Sequence, residues 1–242
     1  MAAPDSMPQA VILAGGMGTR LGAEAAGIPK SLVDVDGAPF ILRQLRLLVS
    51  RGFRRAVLCV GYRGDMIEDR LGDGAGLGME LIYSREKEDA LLGTAGALKK
   101  AEKLLENEFL LLYGDSYLDF DYRAFIAAFR EMDYDIFLSV FRNAGLYDAS
   151  NVRLEGERVI YDKTDPDPAM EYIDYGAALF RRRVLNEFVP GAPEDLSRIY
   201  ARLSREDRIG GYVTDRRFYE IGSLDGLREF REYMRTRGGQ EQ

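Results

Sequence analysis

The chain of 242 residues is 46% hydrophobic and 11% aromatic, which provides a core for one large α/β domain or two small ones. Its formal net charge of −7 comes from scattered acidic residues, so neither nucleic acid nor an anionic membrane is expected as a partner. The sequence has no histidine and one cysteine, Cys59, which excludes histidine-dependent nucleophilic catalysis, histidine-ligated zinc and an internal disulfide.

The sequence indicates neither a membrane span nor a secretion signal. No apolar stretch approaches the roughly 20 residues that a membrane-spanning helix needs, and residues 1–9 lack the basic and apolar regions of a signal peptide. We therefore expect a cytoplasmic protein with a disordered segment at 1–8, a single domain over 9–237 and a flexible tail at 238–242.

Short apolar runs alternate with segments of helical periodicity in the first part of the chain. Strands are predicted at QAVILA, RAVLCVG, GMELIYS, EFLLLYGDS and DIFLSVF. Helices are predicted at APFILRQLRLLVSRG, GDMIEDRLGD, TAGALKKAEKLLE and FDYRAFIAAFREM. This alternation predicts an α/β fold with a mostly parallel sheet that helices cover on both faces.

The second part of the chain predicts a less regular succession of strands and helices. NVRLEGERVIYDK predicts a hairpin that turns at 155–157, and EYIDYGAALF predicts a strand. Helices are predicted at RRVLNEF, EDLSRIYARLSRE and SLDGLREFREYMRTR, with strand pieces at GGYVT and FYEIG. We expect these elements to extend the sheet of the same domain.

The first strand runs into a glycine-rich turn. Gly15, Gly16 and Gly18 allow backbone N–H groups to approach phosphate oxygens, and Arg20 adds positive charge. The dinucleotide-binding fingerprint is excluded because Leu21 stands where its third glycine should be, and the P-loop is excluded because no Gly-Lys-Ser/Thr closes the turn. On these residues alone, the turn fits either a different phosphate-binding loop or an ordinary connection.

A longer pattern selects between these two interpretations. LAGGMGTRL at 13–21, followed by Pro29-Lys30, closely resembles the signature of the sugar-1-phosphate nucleotidylyltransferases. The resemblance continues in order through LLGTAGALKKA, LYGDSYL, YDK, YIDYGAALF and FYEIGS. It is strongest to the short bacterial enzymes that activate heptose 1-phosphate with GTP, and it implies a role in making nucleotide sugars for cell-surface polysaccharides.

The resemblance implies both a fold and a reaction. The fold would be a GT-A-like, Rossmann-like three-layer sandwich with a mixed, mostly parallel central sheet. In the reaction, a phosphate oxygen of the sugar 1-phosphate attacks the α-phosphorus of a nucleoside triphosphate in line, and pyrophosphate leaves. No protein nucleophile or general base is required, which agrees with a sequence that lacks histidine.

The family pattern also implies which residues bind the nucleotide and carry catalysis. Arg20 would hold the leaving pyrophosphate, and Lys30 would neutralise charge around the α-phosphate. Asp115, which follows a buried strand in YGDS, would be the third catalytic residue. Backbone groups that would cradle the triphosphate belong to Leu13, Ala14, Gly15, Gly16, Gly18 and Thr19.

Mg²⁺ is the implied cofactor, and two carboxylates are its implied ligands. Asp115 stands at the carboxyl end of a predicted central strand, where open α/β sheets bind ligands. Glu220 in FYEIGS stands where the family usually has aspartate. Glutamate is an equally acceptable oxygen ligand, but its extra methylene changes where the oxygens lie.

The remaining predicted contacts concern the base, the ribose and the sugar. Gly93 and Thr94 would approach the nucleoside, and Glu88 would accept hydrogen bonds from guanine, which favours GTP. The residues expected to bind the sugar phosphate are Gly114, Asp162, Lys163, Asp174 and Gly176. Asp162 replaces a glutamate that the family often has at this position.

Two other functions remain open on the sequence. One is a nucleotidyltransferase for a non-sugar acceptor, since molybdopterin guanylyltransferases and isoprenoid-pathway cytidylyltransferases also begin with a glycine loop followed by a lysine. The other is a nucleotide-sugar-binding regulatory protein with impaired catalysis, which Glu220 supports. In each case we expect a monomer or a homodimer.

Overall fold

The computed structural model describes residues 6–143 and 145–238, so parts of the two predicted terminal segments, 1–5 and 239–242, lie outside the described residues. The longer strands are β1 Gln9–Leu13, β4 Arg55–Val60, β5 Glu80–Arg85, β6 Glu108–Tyr113, β8 Ile136–Arg142, β9 Val152–Glu155, β10 Arg158–Tyr161, β11 Tyr172–Arg181 and β12 Ile209–Thr214. Two-residue strands are β2 Asp34–Val35, β3 Ala38–Pro39, β7 Ser116–Tyr117 and β13 Tyr219–Glu220. The α-helices are α1 Phe40–Ser50, α2 Gly64–Leu71, α3 Gly93–Ala101, α4 Tyr122–Glu131, α5 Leu196–Arg205 and α6 Leu224–Gly238.

The nine longer strands form one sheet in the order β5-β4-β1-β6-β11-β8-β12-β10-β9. β5, β4, β1 and β6 are parallel to one another, as are β8 and β12. β11 runs antiparallel between β6 and β8, and β10 runs antiparallel between β12 and β9. The predicted α/β sandwich with a mixed, mostly parallel sheet is therefore confirmed.

Side-chain alternation along the central strands builds a core on each face of the sheet. Ile12 points to the same core as the apolar residues of α1, α2 and α4, whereas the neighbouring Val11 joins the core under α3 and α5. Leu110 and Leu111 of β6 divide in the same way. Each fully buried aliphatic side chain of this kind contributes about 1.5–3 kcal/mol of transfer free energy, so the two cores hold the sheet between its helices.

Two predicted helices differ from the structure. RRVLNEF forms a 3-10 helix at Arg182–Glu187, because Arg182 is tied back to Asn107 through its backbone N–H and its guanidinium. TAGALKKAEKLLE is α-helical over Gly93–Ala101 and continues as a 3-10 helix at Glu102–Leu104. Further 3-10 helices span Thr19–Ala25, Lys30–Leu32 and Ala75–Leu77.

A small third core attaches the last part of the chain to the glycine-rich turn. Phe230 of α6 contacts Phe40 and Tyr117 through ring pairs with centroids 5.3 and 4.8 Å apart. Above this core β13 pairs with β7, which places Glu220 opposite Ser116. Within the described part of the chain, no helix has the length and apolar character to cross a bilayer.

Candidate active site

The glycine-rich turn after β1 wraps around Lys30. Gly18 has φ 69°, and a Cβ placed on it would lie 3.0 Å from Cβ of Lys30. The backbone N–H of Lys30 donates to the carbonyl of Gly16 over 3.4 Å. The glycines therefore provide the room in which the lysine enters the turn, and its side chain lies against the loop.

The ends of β1 and β6 are held together just below Asp115. Gly114 N–H donates to Leu13 O at 3.0 Å, and a Cβ on Gly114 would come within 2.7 Å of that same oxygen. Only glycine fits this approach without displacing the backbone. Asp115 thus stands at the carboxyl ends of two central parallel strands, the edge at which open α/β sheets bind ligands.

Lys30 and Asp115, both predicted to be catalytic, form an ion pair. Lys30 Nζ lies 2.5 Å from Oδ2 of Asp115, and the two side chains are only 17% and 24% exposed. The hydroxyl of Ser116 donates to the other oxygen, Oδ1, over 3.3 Å. The aspartate is therefore held by a cation on one oxygen and by a hydroxyl on the other.

A second carboxylate and a second cation converge on Gly222. A Cβ placed there would lie 2.6 Å from Glu220 Oε2, 3.1 Å from Arg20 Nη2 and 3.6 Å from Asp115 Oδ2. Glu220 Oε2 accepts from the N–H of Gly222, and Oε1 accepts from the hydroxyl of Ser223 at 2.6 Å. The longer glutamate side chain is thus tied to the start of α6.

The two carboxylates fit the Mg²⁺ that the family resemblance implies. Asp115 and Glu220 offer hard oxygen donors on the same side of Gly222, whose missing Cβ leaves the space between them. Among the residues described, no group of three or more His, Cys, Asp and Glu side chains forms a metal cluster. Mg²⁺ is commonly held by one or two carboxylates together with substrate phosphates, so a two-carboxylate arrangement is sufficient.

Cavity A, of about 260 Å³, opens beside the glycine-rich turn. The predicted site residues that line it are Leu13, Ala14, Gly15, Gly16, Lys30, Gly93, Thr94, Gly114 and Asp115. Its floor includes Cys59, whose burial raises the pKa of the thiol to about 12, so the cysteine stays a neutral apolar group. Gly114, predicted to contact the sugar phosphate, lies in this cavity.

Glu86, two residues before the predicted Glu88, lines cavity A together with Asp115. Glu86 Oε1 accepts from Leu92 N–H at 2.8 Å, and its Oε2 lies 3.3 Å from a Cβ placed on Gly15. Burial raises the pKa of Glu86, an effect that the Leu92 N–H opposes. Glu88 is exposed and accepts from the backbone N–H of Arg63 at 2.7 Å, so the structure does not bring it to the cavity.

Cavity B, of about 770 Å³, adjoins cavity A and shares Tyr113 and Asp115 with it. The predicted site residues that line it are Arg20, Asp115, Lys163, Asp174, Gly176 and Glu220. Because both cavities share the same aspartate, a ligand in one and a ligand in the other would meet beside the Lys30–Asp115 ion pair.

Asp174 is the most enclosed carboxylate of cavity B. Burial raises its pKa to about 6, and the Gly176 N–H, which donates to Oδ1 at 3.0 Å, and the charge of Lys163 oppose this rise. Gly176 has φ 95°, which a β-strand accommodates only with glycine, and the register of β11 shifts there. This irregularity turns the aspartate into the cavity.

Asp195 also lines cavity B, and the sequence analysis missed it. Its carboxylate caps α5 by accepting from Ser197 N–H at 2.8 Å, and Thr94 Oγ1 accepts from Leu196 N–H at 2.7 Å. Burial acts to raise the pKa of Asp195, but the hydrogen bonds from Ser197, the charge of Lys163 and a hydrogen bond with Thr94 together outweigh it, so that the pKa is lowered. The hydroxyl of Thr94 is therefore engaged by α5, although Thr94 lines cavity A.

Four predicted site residues line neither cavity. Among the described lining residues, Gly18, Thr19, Glu88 and Asp162 are not found. Asp162 Oδ1 accepts from the backbone N–H groups of Thr164 and Asp165, at 2.9 and 3.0 Å, and these bonds lower its pKa. The side chain of Asp162 thus shapes the turn that presents Lys163.

Comparison with protein families identifies the class of protein to which this fold and these two adjoining cavities belong. Residues 9–147 match the nucleotidyl transferase family model, and the chain belongs to this family. The membership predicted from the glycine-loop signature is therefore confirmed.

Two relatives that match this chain are guanylyltransferases by name. The D-glycero-alpha-D-manno-heptose 1-phosphate guanylyltransferase of Campylobacter jejuni is 38% identical over 113 residues, which are 47% of this chain and 50% of the relative. The mannose-1-phosphate guanylyltransferase of Mycobacterium tuberculosis is 28% identical over 221 residues, 88% of this chain and 61% of that one. The chain thus spans between a half and two thirds of these two relatives.

A solved structure matches over nearly the whole chain. HddC from Yersinia pseudotuberculosis, crystallised with GMP-PN, has a TM-score of 0.77 and 26% identity, and the match covers 94% of this chain and all of HddC. The described strands and helices therefore form the same fold as HddC, whose structure contains GMP-PN.

Proposed function

We propose that this protein transfers a nucleoside monophosphate from a nucleoside triphosphate, with GTP favoured, to a heptose or hexose 1-phosphate and releases pyrophosphate. The observation that carries this proposal is the pair of cavities that meet at Asp115, the ion-pair partner of Lys30. Two substrates bound there would bring an attacking phosphate and an α-phosphorus together, which is what an in-line transfer needs.

The residues of the two cavities would act by binding and by charge. Backbone N–H groups of the glycine-rich turn would hold the triphosphate, and Lys30 and Arg20 would stabilise the negative charge that builds on the transferring group. Asp115 and Glu220 would hold Mg²⁺, which when bound neutralises charge on the phosphates. The attacking phosphate is already ionised near neutral pH, so no general base is assigned.

GTP is favoured by Glu86 and by the relatives. A half-buried carboxylate accepts hydrogen bonds, and guanine offers two neighbouring donors, N1–H and the 2-amino group, whereas uracil and thymine offer one. The position of Glu86 at cavity A, together with relatives named as guanylyltransferases, supports guanine as the base.

The acceptor is proposed to be a sugar because cavity B is rich in hydrogen-bond acceptors. Asp174 and Asp195 both interact with the charge of Lys163, in an arrangement suited to sugar hydroxyls beside a phosphate. The names of the relatives add heptose and mannose 1-phosphates as the first acceptors to try. The cytoplasmic location, the link to cell-surface polysaccharides and the monomeric or dimeric state stay predictions.

The test is a grid of pyrophosphate-release assays with Mg²⁺. GTP, ATP, CTP, UTP and dTTP would each be paired with heptose, mannose, glucose and glucosamine 1-phosphates. We expect one strong pair that contains GTP, and we expect Asp115→Asn to abolish release while the circular dichroism spectrum is retained. If no pair of substrates released pyrophosphate although GTP still bound, the result would contradict the proposal and favour a non-sugar acceptor or a regulatory role.

A further inference from the structure

Asn151 is a buried polar residue in the wall of cavity B, next to the irregular part of β11 that carries Asp174. Only 7% of the residue is exposed. Its backbone N–H donates to Tyr172 O at 3.0 Å, and its backbone carbonyl accepts from Asp162 N–H at 3.0 Å. The main chain of Asn151 is therefore fixed between β11 and the turn that presents Lys163.

The side-chain amide of Asn151 has a defined orientation. Asn151 Oδ1 accepts from the backbone N–H of Asp174 at 2.9 Å, and only the oxygen of an amide can accept a hydrogen bond. Nδ2 therefore lies on the other side of the amide, where it makes no hydrogen bond to any described residue. A buried amino group without a partner is unfavourable, so we expect a ligand in cavity B to accept from Nδ2.

The neighbouring carboxylate offers the opposite chemistry. Oδ1 of Asp174 accepts from Gly176 N–H at 3.0 Å, whereas Oδ2 makes no hydrogen bond to any residue that the structure describes. An ionised carboxylate accepts hydrogen bonds and cannot donate them. Asn151 and Asp174 thus present a donor and an acceptor beside each other. A sugar hydroxyl, which both donates and accepts, can satisfy the two at once.

We propose that one hydroxyl of the acceptor sugar accepts from Nδ2 of Asn151 and donates to the carboxylate of Asp174, so that Asn151 determines which sugar 1-phosphates bind. This inference rests on the proposed function, because it takes the acceptor to be a sugar 1-phosphate. It deepens that function by assigning a specificity-determining residue to cavity B. A sugar that lacks this hydroxyl, or carries it in the opposite configuration, leaves both protein groups unpaired.

The test uses Asn151→Asp, which changes the donor and little else. The new carboxylate keeps an oxygen for the backbone N–H of Asp174 and nearly the same shape, but it replaces the amino group with an acceptor. The matched control is Asn107→Asp, on an exposed residue that lines neither cavity and whose Oδ1 accepts from Arg182 Nη2 at 2.9 Å. Circular dichroism checks the fold of both variants, and Asn151→Ala serves if Asn151→Asp does not fold.

Binding would be measured by isothermal titration calorimetry, with the non-reactive α,β-methylene analogue of GTP and Mg²⁺ present. Heptose, mannose, glucose and glucosamine 1-phosphates are titrated first, and the tightest binder becomes the probe. We expect Asn151→Asp to weaken the binding of this probe at least about tenfold, because a buried donor becomes an acceptor. Asn107→Asp should change the affinity by less than about twofold, as a surface substitution away from the site.

Monodeoxy analogues of the probe, each lacking one hydroxyl, separate hydrogen bonding from charge. At one position, loss of the hydroxyl should weaken binding to the unmodified protein about 100-fold but to Asn151→Asp only about tenfold, because one of its two hydrogen bonds is already missing there. Repulsion between the added charge and the sugar phosphate would instead weaken every analogue by the same factor. That result, unchanged affinity in Asn151→Asp, or no binding of any of these sugar 1-phosphates would overturn the inference.

Failure of the inference can be told from failure of the proposed function, since one is measured by binding and the other by turnover. A hydroxyl-specific effect of Asn151→Asp without pyrophosphate release from any substrate pair would leave the recognition standing and reject the activity. Pyrophosphate release from GTP, together with no hydroxyl-specific effect of Asn151→Asp, would establish the activity and reject the role of Asn151.

Discussion

At the scale of single residues, the extra methylene of Glu220 has a structural use. It lets the carboxylate reach the N–H of Gly222 and the hydroxyl of Ser223, and Ser223 Oγ in turn accepts from Gly226 N–H at 3.0 Å. Negative charge at the first turn of α6 is favourable because the helix dipole is positive there. The same side chain therefore serves the helix and faces Asp115.

We assign the preference for guanine as the base to Glu86. Changing Glu86→Gln should lower kcat/KM for GTP by roughly 10- to 100-fold, because an amide replaces one acceptor with a donor that opposes guanine. The matched control is Glu88→Gln, a chemically identical change two residues away on a side chain outside the cavity. Steady-state kinetics on the two variants check the prediction, and a loss confined to Glu88→Gln would return the assignment to Glu88.

We expect the protonation of Asp174 to make the binding of the sugar 1-phosphate depend on pH. Burial raises its pKa to about 6, so the carboxylate loses its charge as the pH falls through that value. A charged carboxylate is the better acceptor for sugar hydroxyls, and we expect kcat/KM for the sugar 1-phosphate to fall below about pH 6. The substrate phosphate titrates in the same range, so Asp174→Asn is the control. The assignment fails if the fall in that variant is as steep as in the unmodified protein.

Motif residues could be predicted from the sequence better than loop residues. Lys30 and Asp115 are placed by the glycine loop and by a buried strand, and the structure brings them into contact. Glu86 and Glu88 differ only in the path of the loop after β5, which periodicity does not encode. Asp195 could be predicted as a helix cap in PEDLS, but its approach to cavity B depends on packing between distant segments.

At the scale of elements, α3 begins where the segment before α5 docks on it. Ala95 N–H donates to Glu194 O at 3.0 Å, and Glu194 N–H donates to Leu92 O at 2.9 Å. Gly93 and Gly96 allow this approach, since a Cβ on either would lie less than 3 Å from a carbonyl of the docked segment. These glycines of the motif thus have a packing role beside the proposed contact with the nucleoside.

Replacing Gly93→Ala should destabilise the protein. Gly93 has φ 69°, and a Cβ there would come within 2.6 Å of Glu194 O, so strain and overlap together should cost about 2 kcal/mol, or roughly 4–8 °C in Tm. Gly76→Ala is the matched control, because no atom lies within 4 Å of its Cβ position. Thermal unfolding of both variants is the measurement, and a Tm for Gly93→Ala equal to that of the control would contradict the docking argument.

The positions of strands and helices could be predicted from the sequence, whereas the order of the strands in the sheet could not. Apolar runs such as EFLLLY fix where a strand forms, and the helical spacing of α4 fixes which face it buries. The insertion of β11 between β6 and β8 is a pairing between distant segments, which neither run length nor periodicity encodes. The order of the strands therefore needed the three-dimensional structure.

At the scale of the whole molecule, acid stability depends on an ion cluster around the buried Asp135, which lines neither cavity. Asp135 accepts from Arg183 Nε at 2.6 Å and from Arg208 Nε at 2.7 Å. Burial acts to raise the pKa of Asp135, but the two arginines outweigh it, and the pKa is lowered. A carboxyl with a lowered folded-state pKa contributes stability above its unfolded value near 3.9, and this contribution is lost as the pH falls through the folded value.

Asp135→Asn should therefore lower the free energy of unfolding at pH 7 by about 2 kcal/mol, because it leaves the half-buried Arg208 and the exposed Arg183 without the anion that they share. The difference from the unmodified protein should shrink as the pH falls below about 4. Urea unfolding at pH 7 and at pH 3.5 is the measurement. A difference that stayed constant between the two pH values would show that the cluster contributes by packing and not by charge.

The pairing of β7 with β13 has a consequence for biosynthesis. Asp115 and the glycine loop leave the ribosome well before Glu220, and β13, the docking of α6 and the hydrogen bond from Ile221 N–H to Asp115 O bring Glu220 beside Asp115. A nascent chain that ends before β13 already carries the elements of cavity A but lacks the second carboxylate. During synthesis the site is thus completed late, and a chain interrupted upstream of β13 has no means of assembling it.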